Sequence, residues 1–273
     1  MKKAIGILNR NMPELADDLV EIVKDLDADI FVLENGSDPD KYSKHANLFE
    51  TESNGIAYGL NALMQYGYDK GYDYIWVNYN DARLDDPEGF FNWSVSQMEN
   101  DKRIGVSAMH WGSMWDIHGR KKPAGWWDPK SSDIDRKLVT FFDDLSFVVS
   151  RRALDTIMAS DSRLTPFFDS TNYTNHYNLL APSLALYSSG MYMITNPKYT
   201  GVEVRDPAES NSEAARGFDD SYWKEVKGPS DAEKWINSFF SEFSSIDLPA
   251  KNKRDIVINS ICKAYRKNKE NRD

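Results

Sequence analysis

The sequence predicts an α/β fold built on a Rossmann-type mixed sheet flanked by helices. Three observations carry that expectation. Strand-like apolar runs alternate with amphipathic helical segments from the first residues onward. Two of those runs, Leu33-Glu34-Asn35-Gly36-Ser37-Asp38 and Tyr74-Ile75-Trp76-Val77-Asn78-Tyr79-Asn80-Asp81, stop abruptly at acidic and small polar residues. Parallel strands that deliver side chains to a site at their carboxyl ends read this way. Finally, 273 residues that are 41% hydrophobic and 13% aromatic suffice for a buried core.

Taken in order, Ala4 to Leu8 reads as a buried strand, and Pro13 suits the first turn of a helix because its missing N–H would be unpaired there anyway. Leu15, Leu19, Ile22, Val23 and Leu26 follow at three- and four-residue spacing, which predicts one apolar helical stripe. Asp29 to Leu33 is the second strand, completing a βαβ unit whose crossover is right-handed. A short strand from Ala46 to Phe49, a helix from Ile56 to Tyr66 with Leu60, Leu63 and Met64 inward, and a strand from Tyr74 to Val77 continue the alternation. A helix is expected from Pro87 to Met98 and a strand from Ile104 to Met109. From His110 to Ser132 the pattern breaks into a Trp-rich segment that reads as a long loop or flap. Strand character returns from Thr140 to Val149, helices are expected from Arg151 to Ala159 and from Asn178 to Tyr187, and Met191 to Thr195 reads as a strand. Residues 196–228 show little periodicity and read as irregular cover. Ser230 and Glu233 have capping-box spacing before Trp235, Ile236, Phe239, Phe240 and Phe243, and a further helix is expected near Pro249. The expected organisation is one domain over residues 1–228 with a helical C-terminal extension over 229–273.

Charge and cysteine content narrow the classes. A net charge of −10 argues against a surface devoted to nucleic acid, although residues 251–273 hold eight Lys or Arg against three Asp or Glu. The single cysteine, Cys262, excludes an intrachain disulfide and fits a reducing compartment. No run approaches the roughly 20 apolar residues of a membrane span, so a cytoplasmic protein is expected.

The order of Ile7-Leu8-Asn9-Arg10-Asn11-Met12-Pro13-Glu14-Leu15, then Val32-Leu33-Glu34-Asn35-Gly36-Ser37-Asp38, then Asn54-Gly55-Ile56-Ala57-Tyr58-Gly59-Leu60-Asn61, then Asn78-Tyr79-Asn80-Asp81 resembles the family 2 glycosyltransferases of GT-A fold. The likeness covers residues 3 to 90 and is weaker from 140 to 195. It implies transfer of a sugar from a nucleoside diphosphate donor, UDP-type favoured, to a hydroxyl acceptor, with a saccharide or small molecule favoured. It also implies a divalent metal, Mn or Mg.

On that resemblance Glu34 would meet the nucleobase or ribose, since a carboxylate accepts hydrogen bonds only. Asn9, Arg10 and Asn54 would line the donor site, with the Arg10 guanidinium suited to phosphate. Asp81 matches the final acid of the family's acidic element and would bind the metal that stabilises the departing diphosphate. This chain departs from the pattern there, with Asn78, Tyr79 and Asn80 leaving a single carboxylate in the motif. Asp143-Asp144-Leu145-Ser146 resembles the acceptor-side strand, and Phe167-Phe168-Asp169 the family's Phe-Asp-Glu turn. The family's Glu-Asp-x-Asp-Leu, whose first Asp serves as base, has here become Asn175-His176-Tyr177-Asn178-Leu179. His176, Asp169 and Asp144 are therefore the base candidates, and His176 is also a second candidate metal ligand, as neutral imidazole commonly is.

Trp111, Trp115, Trp126 and Trp127, joined by Asp144, are the candidate acceptor platform, because indole faces stack on sugars and bases. With Arg120-Lys121-Lys122 and the basic tail they keep a second acceptor in view, the hydroxymethylated DNA bases modified by phage enzymes. A non-catalytic carbohydrate-binding module on a degenerate transferase fold is the rival of a different class, and the missing acids support it. Oligomeric state has no signature in the sequence.

Overall fold

The computed structural model describes residues 1–51, 55–110, 113–116, 121–123, 137–141, 144–160, 162, 164–168 and 180–204. The first half is β1 (Lys3–Asn9), α1 (Pro13–Val23), β2 (Asp29–Asn35), a 3-10 turn at Pro39–Lys41, β3 (Ala46–Glu50), α2 (Ile56–Asp69) and β4 (Tyr74–Tyr79). It continues through β5 (Ala82–Leu84), α3 (Pro87–Asn100), β6 (Ile104–His110), β7 (Ser113–Asp116), β8 (Lys121–Pro123) and β9 (Lys137–Phe141). It ends with β10 (Ser146–Ser150), α4 (Arg151–Ser160), α5 (Leu180–Ser188) and β11 (Tyr192–Glu203).

Among the described residues the strands form one mixed sheet in the order β3-β2-β1-β4-β10-β6-β11-β9-β7-β8, with β5 paired to β11. β1 runs parallel to β2 and β4, and β2 parallel to β3. β10 is inserted antiparallel between β4 and β6, and β11 returns parallel to β6. The two-residue period of the strands divides the core. Ile75 and Val77 face α2 and α4 with Phe31, Leu60, Leu63, Met64, Leu154 and Ile157. Tyr74 and Trp76 face α1 and α3 with Ile5, Ile7, Leu19, Val23, Phe90, Phe91 and Met98. Each large side chain buried there contributes about 1.5–3 kcal/mol. Trp76 keeps its polar edge satisfied, because Nε1 donates to Ser146 Oγ at 2.9 Å and that hydroxyl donates to Asn78 Oδ1 at 2.7 Å.

Four sequence expectations are corrected. The stripe of α1 is Ala16, Leu19, Val20 and Val23, with Ile22 43% exposed, because the helix turns a face one residue away from the one its largest residues suggest. The strand expected from Thr140 to Val149 is two, broken at Asp144-Leu145, since β9 pairs with β11 while β10 pairs with β4 and β6. Residues 196–203 belong to β11: Pro197 lacks a donor and the register shifts between Thr195 and Thr200, so the strand passes the proline as a bulge and resumes. The Trp-rich segment contains an antiparallel pair, with Ser113 opposite Pro123 and Trp115 opposite Lys121. The extension over residues 229–273 lies outside the described residues.

Candidate active site

Three parallel strands end level with one another. Asn9 of β1 is in register with Glu34 of β2, and Leu8 with Tyr79 of β4, so Asn9, Glu34 and the turn after Tyr79 meet at one edge. The turn is held to β1 by the Asn80 N–H, which donates to the Leu8 carbonyl at 3.1 Å.

Glu34 is fully buried and its carboxylate is filled from within the protein. Asn9 Nδ2 donates to both oxygens at 3.1 and 2.9 Å, Ser37 Oγ donates at 2.5 Å, and the Ser43 N–H donates at 2.8 Å. An ionised carboxylate has about four acceptor positions, so these bonds occupy its capacity. The loops around it are tied to the same centre. Asn11 has a left-handed φ of 56°, its N–H donates to Ser37 Oγ at 3.1 Å, and its Oδ1 accepts from the Asp38 N–H at 2.7 Å. Gly36 takes φ 67° in the turn that its Asn-Gly sequence predicts. Ser43 Oγ also donates to Asp17 Oδ1 at 2.5 Å, which fastens α1.

From Asn9 the network continues to β4. Asn9 Oδ1 accepts from Asn80 Nδ2 at 2.6 Å. Asp81 follows, 2% exposed, and its carbonyl accepts from the Val204 N–H at 3.0 Å. Arg83, which the sequence reading did not select, clamps this turn: one guanidinium nitrogen donates to the carbonyls of Asn80 and Ala82, and the other reaches the Leu15 carbonyl and Asp18. Its position two residues after the acid was the available signal.

On the other face of the sheet, Gly55 begins α2 with φ 94°, a conformation open to glycine, and the helix has no side-chain cap. Asn35 Nδ2 donates to the Gly55 carbonyl at 3.3 Å. A Cβ on Gly59 would stand 2.6 Å from Leu8 Cδ1 and 2.8 Å from Asn35 Nδ2, so glycine is what lets this helix entry rest on the strand ends. An uncapped helix start carries partial positive charge toward whatever binds there.

Asp144, half-buried in the turn before β10, accepts a hydrogen bond from the Tyr79 hydroxyl at 2.8 Å. Burial raises its carboxyl above the ordinary range, and the Tyr79 bond partly opposes that rise. Such a group favours the fold below its unfolded pKa, and that contribution is lost as pH rises through the higher folded value. At neutral pH the ionised side chain is a cost. Asp144→Asn therefore raises the melting temperature at pH 7, and the gain vanishes near pH 3, below the unfolded value of about 3.9. A gain independent of pH, in paired thermal melts, sinks the assignment. His110, at the end of β6, is 1% exposed and burial lowers its pKa to about 4, so it is neutral at pH 7.

Asn61 of α2 was also missed. Its Oδ1 accepts from the N–H groups of Phe167 and Phe168 at 3.3 and 2.9 Å, and its Nδ2 donates to the Phe168 carbonyl at 2.8 Å. It fixes the backbone at Phe167-Phe168. Asn61→Leu keeps the volume but orphans the N–H groups of Phe167 and Phe168, while the Phe168 carbonyl still accepts from the Thr165 N–H at 3.4 Å, and unfolding by urea should show a loss of about 2–3 kcal/mol. A change under about 0.5 kcal/mol contradicts the clamp.

The sequence-selected residues thus divide. Asn9, Glu34 and the Asp81 turn converge at one edge, Arg10 follows Asn9 on the loop after β1, and Asp144 joins β4 through Tyr79. Trp115 lies in β7, paired with Lys121 and Phe141. Asn54, Trp111, Trp126, Trp127, Asp169 and His176 lie outside the described residues. No group of three or more His, Cys, Asp or Glu that could hold a metal ion occurs among the described residues. Asp81 is the single carboxylate of its turn, and the Asn80 amide is turned inward to Asn9. The described residues alone do not fit a resident divalent cation. Among them, no helix is long and apolar enough to cross a membrane.

No family model matches the chain, and no curated protein matches it. Solved structures do. The crystal structure of GalNAc-T7 with UDP, GalNAc and Mn2+ superposes with a TM-score of 0.51 at 9% identity, over 97% of this chain and 55% of that one. The chain therefore spans about half the length of that structure's chain. A197 from STIV matches with a TM-score of 0.43 at 12% identity, over 76% of this chain and 87% of that one. A protein of Desulfovibrio desulfuricans G20, described as a nucleotide-diphospho-sugar transferase, matches with a TM-score of 0.44 at 9% identity, over 91% of this chain and 100% of that one. The fold is GT-A-like, a mixed sheet flanked by helices.

Proposed function

We propose that the protein is a glycosyltransferase that moves a sugar from a nucleoside diphosphate donor, UDP-type favoured, to a hydroxyl of a saccharide or small molecule. The observation that carries this reading is the convergence of Asn9, Glu34 and the Asp81 turn at the carboxyl ends of β1, β2 and β4. Ligands of open α/β sheets lie at such ends. The GT-A-like fold supports the same class.

In the transfer, an acceptor hydroxyl oxygen bonds to the anomeric carbon while the bond from that carbon to the diphosphate oxygen breaks. The electron pair leaves on the diphosphate, and the hydroxyl proton passes to a base. Asp144 is the base candidate within the described residues, and a carboxyl raised by burial holds a proton better than an ordinary one. Asp169 and His176 are the other two. In this reading Asp81, in the turn after β4, is the acid of the donor side, and the uncapped start of α2 adds favourable potential for the phosphates. Mn or Mg, expected with Asp81 and His176 as ligands, would draw its remaining ligands from donor phosphates or from residues beyond those described, and no step above depends on it.

A panel of nucleotide sugars tests the reading. Release of free nucleoside diphosphate from one donor, accelerated by a saccharide, is the expected result. Binding of saccharide without any donor turnover would establish the non-catalytic module instead. Hydroxymethylated DNA, offered at two salt concentrations, is the remaining arm: modification with a steep salt dependence would move the acceptor to DNA, since each phosphate neutralised releases counterion.

A further inference from the structure

We propose that Glu34 and Asn9 are positioning residues that act through Asn80 to fix the turn carrying Asp81, rather than contacts for the donor's nucleoside. The inference rests on the reading of Asp81 as the acid on the donor side, and it reassigns the role of the residue at the end of β2.

Hydrogen-bond polarity couples Glu34 to the Asp81 turn. An ionised carboxylate can only accept, so Asn9 must point Nδ2 at Glu34, and it does so to both oxygens. Its Oδ1 is thereby turned toward β4 and can only accept, so Asn80 must present Nδ2. One charge at the end of β2 sets the orientation of two amides and reaches the residue next to Asp81. Neither amide can flip without placing like dipoles in contact at positions that are 0% and 7% exposed, where water offers little compensation. Asn80 is then held at three points, by Asn9 at its side chain, by Leu8 at its N–H and by Arg83 at its carbonyl. A nucleoside could engage Glu34 only by displacing Asn9, Ser37 or the Ser43 N–H, and each of those bonds holds a loop of the same edge.

The test uses Glu34→Gln, Asn9→Asp and Asn80→Ala in the full chain. Glu34→Gln keeps the volume but sets an amide donor against one of the existing donors. Asn9→Asp sets two carboxylates together, and Asn80→Ala cuts the last link without touching Glu34. Amide hydrogen exchange, read on peptides covering residues 78–84 and on α3 as a reference, should accelerate about tenfold or more in the turn and stay unchanged in α3 for all three variants. Adding Asn80→Ala to Glu34→Gln should change the turn by less than about twofold further, because both break one chain of bonds. Equal acceleration in both peptides, no acceleration in the turn, or additive effects in the double variant each overturn the proposal.

Calorimetry with UDP separates this from the reading of function. UDP affinity in Glu34→Gln should stay within about threefold of wild type while kcat falls. Lost UDP affinity with an unchanged turn would make Glu34 a direct contact and overturn the proposal. A wild-type protein that binds no nucleoside diphosphate would defeat the transferase reading, whereas the exchange results would still decide the positioning role.

Discussion

Asp81→Asn lowers turnover by about a hundredfold or more, the usual scale for removing one preorganised electrostatic group from a reacting centre. The melting temperature does not fall. The side chains have the same shape, so no cavity opens, and the backbone bond from Val204 to the Asp81 carbonyl is unaffected. Steady-state assays with the preferred donor, paired with thermal melts, check both halves. Turnover within a few-fold of wild type would remove Asp81 from the chemistry. The same assay in EDTA distinguishes a carboxylate that meets the donor directly from one acting through a cation, because in the second case chelation adds nothing to the variant.

Glu34→Ala has the largest expected effect on stability, about 3–4 kcal/mol, because it strands the Asn9 amide, the Ser37 hydroxyl and the Ser43 N–H in a buried centre. For a domain of this size that corresponds to a drop of about 10 °C in melting temperature. The sequence alone suggested a different outcome, a stable protein with weakened donor binding. A variant that melts with the wild type but binds UDP weakly would restore that first reading.

These two residues show what the chain makes legible. Strand ends are readable because an apolar run that halts at Glu34 or Asp81 reports both the strand and its exit, and the structure extends β2 and β4 by two residues beyond the expected bounds. Helices were readable where the apolar spacing is strong, and α2 buries the Leu60, Leu63 and Met64 that periodicity selected. What a bare sequence hides is saturation: nothing in Glu34-Asn35-Gly36-Ser37 tells that Ser43 and Asn9 already fill the carboxylate. Asn61 and Arg83 escaped for the same reason, since their partners are backbone groups of segments far along the chain or of a turn whose shape composition does not encode. The bulge in β11 escaped because a proline normally argues against a strand.

The insertion of β10 between β4 and β6 also constrains how the chain can be made. Both neighbours of β10 precede it in the sequence, at Tyr74–Tyr79 and Ile104–His110, and both must wait for Ser146–Ser150. A nascent chain that has emerged only as far as β6 therefore holds two adjacent strands with an unfilled lane between them, each presenting open backbone groups. Sheet closure is a long-range event that waits for the chain beyond β6 through Ser150, which slows folding and lengthens exposure to misassembly. A fragment ending at His110 should consequently remain aggregation-prone on the ribosome, and one extended through β10 and α4 should be the first length to resist proteolysis.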